Sequence, residues 1–367
     1  MPFSALDAIN PAIEHTKRQL FKPFRLGQWT RVALVGLLAG ELSSGGGCNV
    51  PSIPNLNIPH NGPSQHVLPE IFNGFDPSLY IGLIFVLVFS AFVLGILFMY
   101  VSSVMRFILF DGVLAKECHI RAGWGRRQLE GWRYFLWKLA YAITTFCAAI
   151  ALLGIPVGFA FVMGWLTDPK QHAVVLILGG IALFFLLAFL VIAMVVIYVL
   201  TKDFVIPQMA LENIGAMEGW RRLWAMMKAE TGGYAGYIGM KIVLAIVAGI
   251  VIGIIGFIFA LIILVPAAGV AIAAVLAAKA AGVGWTVYTI TLAVVAGCVL
   301  LAVFLCFSSL ISVPAIVFFP AYSMYFFAAR YPALRSALYP ALPAAPIPPT
   351  PPPYQAPFLP PNPEPIA

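Results

Sequence analysis

The five histidines are the first residues to test for chemistry, because imidazole binds metals and moves protons near neutral pH. They are His15, His60, His66, His119 and His172. None has another histidine three or four positions away, so none shares a helix face with a second imidazole, as a helical zinc site requires. Glu117 and His119 are two positions apart, and on a helix that spacing turns them away from each other. The sequence predicts no metal site and no cofactor.

The cysteines and the sequence motifs of known nucleophiles, like the histidines, give no evidence of a catalytic site. The cysteines are Cys48, Cys118, Cys147, Cys298 and Cys306, and no CxxC pair occurs. Three of them lie in apolar runs, where cysteine usually acts as a small packing residue. Cys48 follows three glycines after a basic and then apolar start, which faintly resembles a lipoprotein processing site, but Glu41 interrupts the apolar run. No phosphate-binding loop, GxSxG elbow or dinucleotide fingerprint is present, so we expect no enzyme.

Tryptophan and arginine form the most distinctive pattern of the chain. EGWRRLWAMMKAE occupies residues 218–230, and the related EGWRYFLWK occupies residues 130–138. Tryptophan favours the headgroup zone of a bilayer, and arginine can donate paired hydrogen bonds to phosphate. The candidate lipid-headgroup residues are Trp124, Arg126, Arg127, Trp132, Arg133, Trp220, Arg221, Arg222 and Trp224. An ordinary connecting helix packed on its neighbours, or a protein-docking surface, would use the same residues.

Helical periodicity supports this interpretation of the second motif. Spacings of three and four residues place the following side chains on one helix face: Ile214, Met217, Trp220, Trp224 and Met227. The basic residues fall largely outside that face. The pattern predicts an amphipathic helix that lies flat on the cytoplasmic membrane interface and links two spans.

The elements that carry these motifs belong to a membrane protein. The chain is 62% hydrophobic and 10% charged, with a mean hydropathy of +0.97, whereas soluble domains carry about 25% charged residues. We predict an all-α fold, a polytopic transmembrane helical bundle of about six spans. The expected organisation is a cytoplasmic amphipathic segment (1–27), a transmembrane domain (28–335) and a proline-rich disordered tail (336–367).

The six expected spans are apolar runs separated by polar segments. They are Val32–Leu42, which is short, and Leu79–Leu109, Phe135–Leu166, Ala173–Leu200, Tyr237–Val265 and Trp285–Ser312. Residues 267–283 are apolar but short and contain Lys279, so they are expected to form a helical loop or re-entrant segment at the outer face. Residues 43–76 are expected to form a polar loop on the same side.

Charge predicts the orientation of the bundle. Nineteen of the 21 Lys and Arg residues fall in segments that six spans place on one side, and only Lys170 and Lys279 fall on the other. Basic residues accumulate on the cytoplasmic side, so both termini are expected in the cytoplasm, in a prokaryotic inner membrane. The net charge of +7 is therefore attributed to topology and acidic lipids rather than to nucleic acid.

Three further patterns carry structural expectations. Residues 1–27 predict a short helix on the membrane surface, with Ile13, Leu20, Phe21 and Phe24 on one face. Small residues recur as Ala245, Gly249, Gly253 and Gly256, which predicts close helix packing or, alternatively, a substrate path. Residues 340–367 are proline-dense and are either a solvated tail or a ligand for an SH3-like partner.

Repeats and a family likeness complete the sequence analysis. Residues 106–138, 202–228 and 317–338 share a plan that is apolar, then polar, then basic, so three helical-hairpin units are expected. LFKPFRLGQWTRVALVGLLAGELSSGGG (20–47) resembles the opening of an uncharacterised prokaryotic multi-span membrane family, through Phe21, Pro23, Phe24, Trp29, Arg31 and Gly45 to Gly47. DFVIPQMALENIGAMEGWRRLW looks like the central interfacial element of that family. The hairpins are loosely similar to the membrane domain of glycerophosphodiester phosphodiesterases, whose catalytic domain is absent here.

The expected function is that of an integral membrane protein without a catalytic site, a scaffold or a binder of lipids or protein partners. Partners could dock on the cytoplasmic face or on the proline-rich tail. A permease for a hydrophobic or lipid-like solute is the alternative, because the span interiors carry almost no charge. Neither the substrate nor the oligomeric state follows from the sequence.

Overall fold

The computed structural model describes residues 4–22, 24–41, 77–165, 169–282 and 287–339, and within these ranges the chain is helical and contains no strand. Five helices are long: α3 (Pro77–Leu114), α4 (Ile120–Val162), α5 (Ala173–Leu200), α8 (Thr231–Ala280) and α9 (Val287–Ala328). The shorter helices are α1 (Ile9–Phe21), α2 (Leu26–Ala39), α6 (Ile206–Glu212), α7 (Ala216–Ala229) and α10 (Pro332–Leu338). A π-helical segment, Thr201–Val205, joins α5 to α6. Cys48 and the proline-rich tail lie outside the described residues.

Five helices are long and apolar enough to cross a membrane, so the predicted all-α membrane bundle is confirmed. The first expected span differs from the prediction. Helix α2 has 14 residues and is about 21 Å long, shorter than the roughly 30 Å hydrocarbon core. The Ala39 carbonyl at its end accepts a 2.7 Å hydrogen bond from Arg106 Nη2, so α2 ends beside the last third of α3. The described residues thus contain five candidate spans and one short apolar helix.

Residues 267–280 continue α8 and do not form the separate outer segment that the sequence suggested. The helix runs through Pro266 to Ala280. Proline removes one backbone hydrogen bond, but helices in an apolar environment tolerate this when neighbouring groups satisfy the freed carbonyl. Pro314 and Pro320 lie inside α9 in the same way. The expected spans that ended before these prolines were therefore too short.

Side-chain burial divides the molecule into two parts. Buried residues lie in four stretches of chain, 8–41, 102–135, 200–237 and 309–334. We call the part built from residues 4–41, 100–138, 200–241 and 309–339 the head. Beyond the head, large apolar side chains such as Phe161, Phe189 and Leu292 are exposed. The apolar surface of these helices can be kept from water only by lipid or by another apolar partner.

Helix α1 packs on the head through a partly polar face. His15 Nε2 lies 2.9 Å from the Val113 carbonyl, and Gln19 Nε2 donates to the Gly112 carbonyl at 3.0 Å. The last carbonyls of a helix have no partner within the helix, so α1 caps the end of α3 from outside. Ile13, Phe21 and Phe24, part of the predicted membrane-facing set, are exposed, whereas Leu20 is buried within the head.

Candidate functional site

Four basic residues stand where the long helices leave the head: Arg106 on α3, Lys138 on α4, Lys202 after α5, and Lys241 on α8. We call these four, together with the carboxylates of Glu41 and Asp203, the base layer. Arg106 follows Ile84 by 22 residues, a helical rise of about 33 Å that matches the thickness of a bilayer core. The apolar part of α3 between Ile84 and the base layer is therefore about one membrane thickness long.

The two carboxylates of the base layer are engaged in ion pairs. Glu41 pairs with Lys202 and lies 3.5 Å from Arg106 Nη2. Asp203 pairs with Lys241 and accepts a 2.9 Å hydrogen bond from Tyr237 Oη. Burial makes each charge dependent on its partner, because a single charge in a dry interior is costly. Glu41, Lys202 and Asp203 border a partly open cavity of about 30 Å³, which has room for about one water molecule.

The π-helical segment places two neighbouring residues of opposite charge in this layer. Lys202 and Asp203 are adjacent in the chain, and both are buried in the head. Lys202 reaches Glu41 at the end of α2, whereas Asp203 reaches Lys241 on α8. A π-turn widens the helix by one residue per turn and is frequently found at functional sites.

The opposite side of Arg106 carries donors rather than carboxylates. Lys138 Nζ lies 3.4 Å from Ser102 Oγ, and the Arg106 guanidinium stands 5.3 Å from the centre of the Tyr198 ring. Arg106 Nη1 and Tyr134 Oη are also buried. The described residues leave these two buried polar atoms without a hydrogen-bond partner.

The first Gly-Trp motif fits tightly against α3. A Cβ added to Gly131 would lie 2.6 Å from Val104 Cγ2, and one added to Gly123 would lie 3.1 Å from Ile108 Cγ1. Both glycines therefore permit close helix contact, which explains why the repeat register was ambiguous in the sequence. The next residue, Trp132, is 48% exposed, and its ring centre lies 5.8 Å from that of Tyr100. Trp124 is half-buried and lies 6.1 Å from the same Tyr100 ring.

The arginines of this motif have three different environments. Arg126 is exposed and donates to Asp111 at 2.9 Å. Arg127 lies in the head, where it donates to both oxygens of Asp111 and, at 2.7 Å, to the Ala210 carbonyl. Arg133 is exposed and donates to the carbonyl and the side-chain oxygen of Asn213, both at 3.0 Å. Arg127 is thus a structural link between α3, α4 and α6, although the sequence suggested a headgroup contact.

The second motif forms α7, and its tryptophans diverge. A Cβ on Gly219 would lie 2.8 Å from Val205 Cγ1, so the glycine again permits close packing. Trp220 turns inward and donates from Nε1 to Thr201 Oγ1 at 3.0 Å, next to the base layer. Trp224 is 54% exposed, and the Lys228 ammonium lies 5.7 Å from the centre of its ring.

Acidic residues of the head orient the remaining basic side chains. Arg221 donates to Glu218 at 2.7 Å, and Arg222 pairs with both Glu218 and Glu212. Hydrogen bonds from these arginines lower the pKa of Glu218. Arg222 and Arg221 therefore have protein partners while their exposed edges remain open to lipid.

A further ion pair joins α8 to the end of α9. Arg330 donates to both oxygens of Glu230, at 2.8 Å and 2.6 Å. These bonds lower the pKa of Glu230. Burial and the hydrogen bond to Glu212 raise the pKa of Tyr331, so Tyr331 remains a neutral donor. The head is closed by this pair at the point where the chain leaves α9.

The small-residue stripe lies on α8 beyond the head. Ala245, Gly249 and Gly256 are half-buried, and Gly253 is exposed. A Cβ added to Gly253 or Gly256 would meet no atom within 4 Å among the described residues. At these two positions the predicted close packing is not made within the described chain. Beyond the head, Phe259 of α8 contacts Phe307 of α9, and their ring centres lie 4.8 Å apart.

Comparison of the sequence with known proteins assigns the chain to a family. A family of unknown function, DUF7544, matches residues 3–337. The chain belongs to this family. No curated protein and no solved structure matches it. The resemblance to an uncharacterised family is confirmed, and the comparisons provide no link to glycerophosphodiester phosphodiesterases.

The buried part of the candidate site was missed by sequence reasoning. From the sequence, Lys138 and Lys241 served only as signals of orientation, and Tyr134 was not singled out. Asp111 and Asp203, near Arg106 and Lys202, were expected to cap helices or to form interfacial pairs. One signal was present, since each of these basic residues directly borders an apolar run of about one membrane thickness. The carboxylate that pairs with Lys202, Glu41, lies 161 residues away in the chain, and no local pattern connects the two.

Proposed function

We propose that this protein is a non-enzymatic integral membrane protein that binds acidic lipid headgroups with its basic head and so organises lipid or partner proteins at one leaflet. Trp132 and Trp224 carry the proposal. They are exposed on the head near the level of the base layer, with exposed Arg133, Arg221 and Lys228 beside them. Tryptophan beside exposed arginine or lysine is the side-chain combination that the headgroup region favours.

The proposal includes the position of the protein in the cell. Nearly all the basic residues lie in the head, whereas Lys170 and Lys279 stand at the far ends of the helices. This distribution supports a head in the cytoplasm of a prokaryotic cell, with both termini on that side and the five long helices in the inner membrane. The exposed face of the head would then also be the surface available to protein partners.

Quenching by brominated lipids tests the lipid contact. The purified full-length protein is reconstituted into phosphatidylcholine bilayers, brominated either near the headgroup or near the end of the acyl chain. The difference in fluorescence between the wild type and Trp224→Phe gives the emission of Trp224. The difference between the wild type and Trp132→Phe gives that of Trp132. We expect bromine near the headgroup to quench both emissions more strongly than bromine near the end of the acyl chain. We also expect brominated phosphatidylglycerol to quench them more than its mole fraction in the bilayer would predict.

Trp29 provides the matched control. It donates from Nε1 to the Leu20 carbonyl and packs between Phe21 and Phe24. Its neighbour Gln28 donates to the carbonyl of Lys116, just beyond the end of α3, and that end lies about 12 Å along the helix from Arg106. Emission lost on Trp29→Phe should be insensitive to brominated lipid. Equal quenching of all three tryptophans, or no preference for phosphatidylglycerol, would contradict the proposal.

A permease for a lipid-like solute is the second candidate, and one observation favours it. The long helices are exposed beyond the head, and the π-helical segment lies beside charged residues where they meet. A lipid could enter between such helices from the side, as interrupted helices permit in transporters. Vesicles that contain the protein should then move fluorescent phospholipid between leaflets faster than protein-free vesicles. Equal rates would remove this candidate and leave the binding proposal intact.

A further inference from the structure

We propose that Arg106, Tyr134 and Lys138 form a binding site for a phosphate-type oxyanion at the junction of α3, α4 and α5. The inference deepens the proposed function and relies on it for the preferred source of the anion, the phosphate of an acidic lipid. Three donor groups carry the assignment: Arg106 Nη1 and Tyr134 Oη, which have no hydrogen-bond partner among the described residues, and the Lys138 ammonium, which has no carboxylate partner there.

The charge balance of the base layer calls for an anion. It contains four basic residues and two carboxylates, and the carboxylates already pair with Lys202, Arg106 and Lys241. Among the described residues no carboxylate lies within ion-pair distance of Lys138; its polar contact is Ser102 Oγ at 3.4 Å. An ammonium group at the edge of the hydrocarbon region is costly without a counter-charge. A bound anion would supply that counter-charge.

The available hydrogen-bond donors match an oxyanion. Arg106 is 4% exposed and Tyr134 is 1% exposed, yet Arg106 Nη1 and Tyr134 Oη have no hydrogen-bond partner in the described part of the chain. Lys138 Nζ contacts Ser102 Oγ, and Ser102 Oγ and Arg106 Nη2 both donate to the Ala39 carbonyl, so the two cations lie close together. The Tyr134 ring packs against Phe107, the residue after Arg106. The Tyr198 ring beside the guanidinium helps to hold its position. Charge-assisted bonds from arginine and lysine are the strong contacts that phosphate oxygens make in proteins.

The depth of the site favours a lipid phosphate. Arg106 lies about 33 Å along α3 from Ile84, where the candidate span begins. This is about the thickness of one bilayer core, so Arg106 is at the level expected for the phosphates of one leaflet. Lys138 is partly exposed, whereas Arg106 and Tyr134 are buried behind it. Lys138 is therefore the member of the three that an anion would meet first. Soluble phosphate has the same chemistry and could reach the site from the aqueous side.

Binding and unfolding measurements on the full-length protein test the site. Native mass spectrometry measures the affinity for phosphatidylglycerol, and inorganic phosphate is titrated in phosphatidylcholine nanodiscs by its effect on the unfolding temperature. We expect Lys138→Met and Tyr134→Phe each to weaken anion binding, Lys138→Met by about ten-fold. Lys279→Met removes the same charge at the far end of α8 and should leave binding unchanged. A response to phosphatidylglycerol alone identifies a lipid site, and a response to phosphate alone a soluble-anion site.

Stability separates binding from a structural role. In phosphatidylcholine alone, Lys138→Met should unfold at the same or a higher temperature than the wild type, because it removes an uncompensated charge. Phosphatidylglycerol should raise the unfolding temperature of the wild type but not that of Lys138→Met. Equal anion affinity in wild type and Lys138→Met would overturn the site. If tryptophan quenching still showed a preference for phosphatidylglycerol, the proposed function would stand without it.

Discussion

Arg127 donates two hydrogen bonds of 2.8 Å to the two carboxylate oxygens of Asp111. The pair joins the end of α3 to the start of α4, and a third bond of 2.7 Å to the Ala210 carbonyl adds α6. Only the planar guanidinium can make this set of contacts from a single side chain. The head therefore depends on an arginine that the sequence alone assigned to the lipid surface.

Replacing Arg127 by lysine should destabilise the head. Arg127 is 13% exposed at its side chain, whereas the neighbouring Arg126, which also contacts Asp111, is 68% exposed. Arg127→Lys loses the paired geometry, and we expect a cost of about 2 kcal/mol in the free energy of unfolding. Arg126→Lys should change it by less than about 0.5 kcal/mol. Denaturant unfolding in detergent measures both, and similar effects would contradict the structural role.

The Asp203–Lys241 pair should show strong coupling. Both side chains are buried in the head, so Asp203→Asn leaves a buried ammonium and Lys241→Met leaves a buried carboxylate. We expect each single change to destabilise more than the double change, with a coupling free energy of about 2 kcal/mol. A double-mutant cycle of unfolding free energies measures it. Additive effects would show that the two charges are solvated separately.

Helix α1 should loosen as the pH falls. Burial lowers the pKa of His15 below its ordinary value of 6.5, and this effect outweighs the hydrogen bond to the Val113 carbonyl, which raises the pKa. The unfolded chain therefore binds a proton more readily than the folded one. The stabilisation is fully present above pH of about 6.5 and is lost as the pH falls below it, toward the folded-state pKa.

Hydrogen exchange of the α1 amides, measured between pH 7.5 and 5 and corrected for the intrinsic exchange rate, reports this loss of stability. Both pH limits lie about one unit or more from the ordinary histidine pKa. His15→Gln should abolish the pH dependence in that interval, since glutamine does not titrate. His119→Gln is the control, because His119 is exposed. A pH dependence that persists in His15→Gln would assign the effect to another group.

Gly131 and Gly125, two glycines of α4, should differ sharply in their tolerance of substitution by alanine. At Gly131 the added methyl would lie 2.6 Å from Val104 Cγ2 and 3.0 Å from Val104 Cα, so backbone must move. We expect Gly131→Ala to cost about 2 kcal/mol in unfolding free energy. Gly125→Ala meets no atom within 4 Å and should stabilise α4 by up to about 1 kcal/mol. Equal effects would contradict the close contact of α3 with α4.

Labelling of engineered cysteines tests the orientation. In a cysteine-free variant, Lys17→Cys lies on the exposed face of α1 and Lys279→Cys at the far end of α8. A membrane-impermeant maleimide added to intact cells should label only Lys279→Cys, while Lys17→Cys should react after lysis. Labelling of both in intact cells would place the head outside and overturn the proposed topology.

The sequence predicted the architecture well where one physical effect dominates. Long apolar runs predicted the long helices, because lipid exposure requires continuous apolar surface. Prolines misled the prediction of helix ends, since Pro266 and Pro314 were read as boundaries although α8 and α9 continue through them. Proline usually ends a helix because water can hydrogen-bond the backbone groups that proline leaves unpaired. Water is scarce in an apolar environment, so the helix can continue there.

The site itself was harder to predict because its parts come from distant segments. Gly219 and Gly131 were recognised as a motif, but their close contacts with Val205 and Val104 require the fold. Trp220 and Trp224 share a predicted helix face, yet only Trp224 is well exposed. The buried face of α7 consists of Ala216, Gly219 and Leu223, small or aliphatic residues that a search for aromatic stripes passes over.

The docking of α1 has a bearing on how the protein is made. His15 contacts Val113, 98 residues later in the chain, and Tyr325, 310 residues later. Helix α1 therefore cannot complete its contacts until α9, which carries Tyr325, has been synthesised. Until then α1 must wait for one of its partners, so its full attachment is a late step of folding.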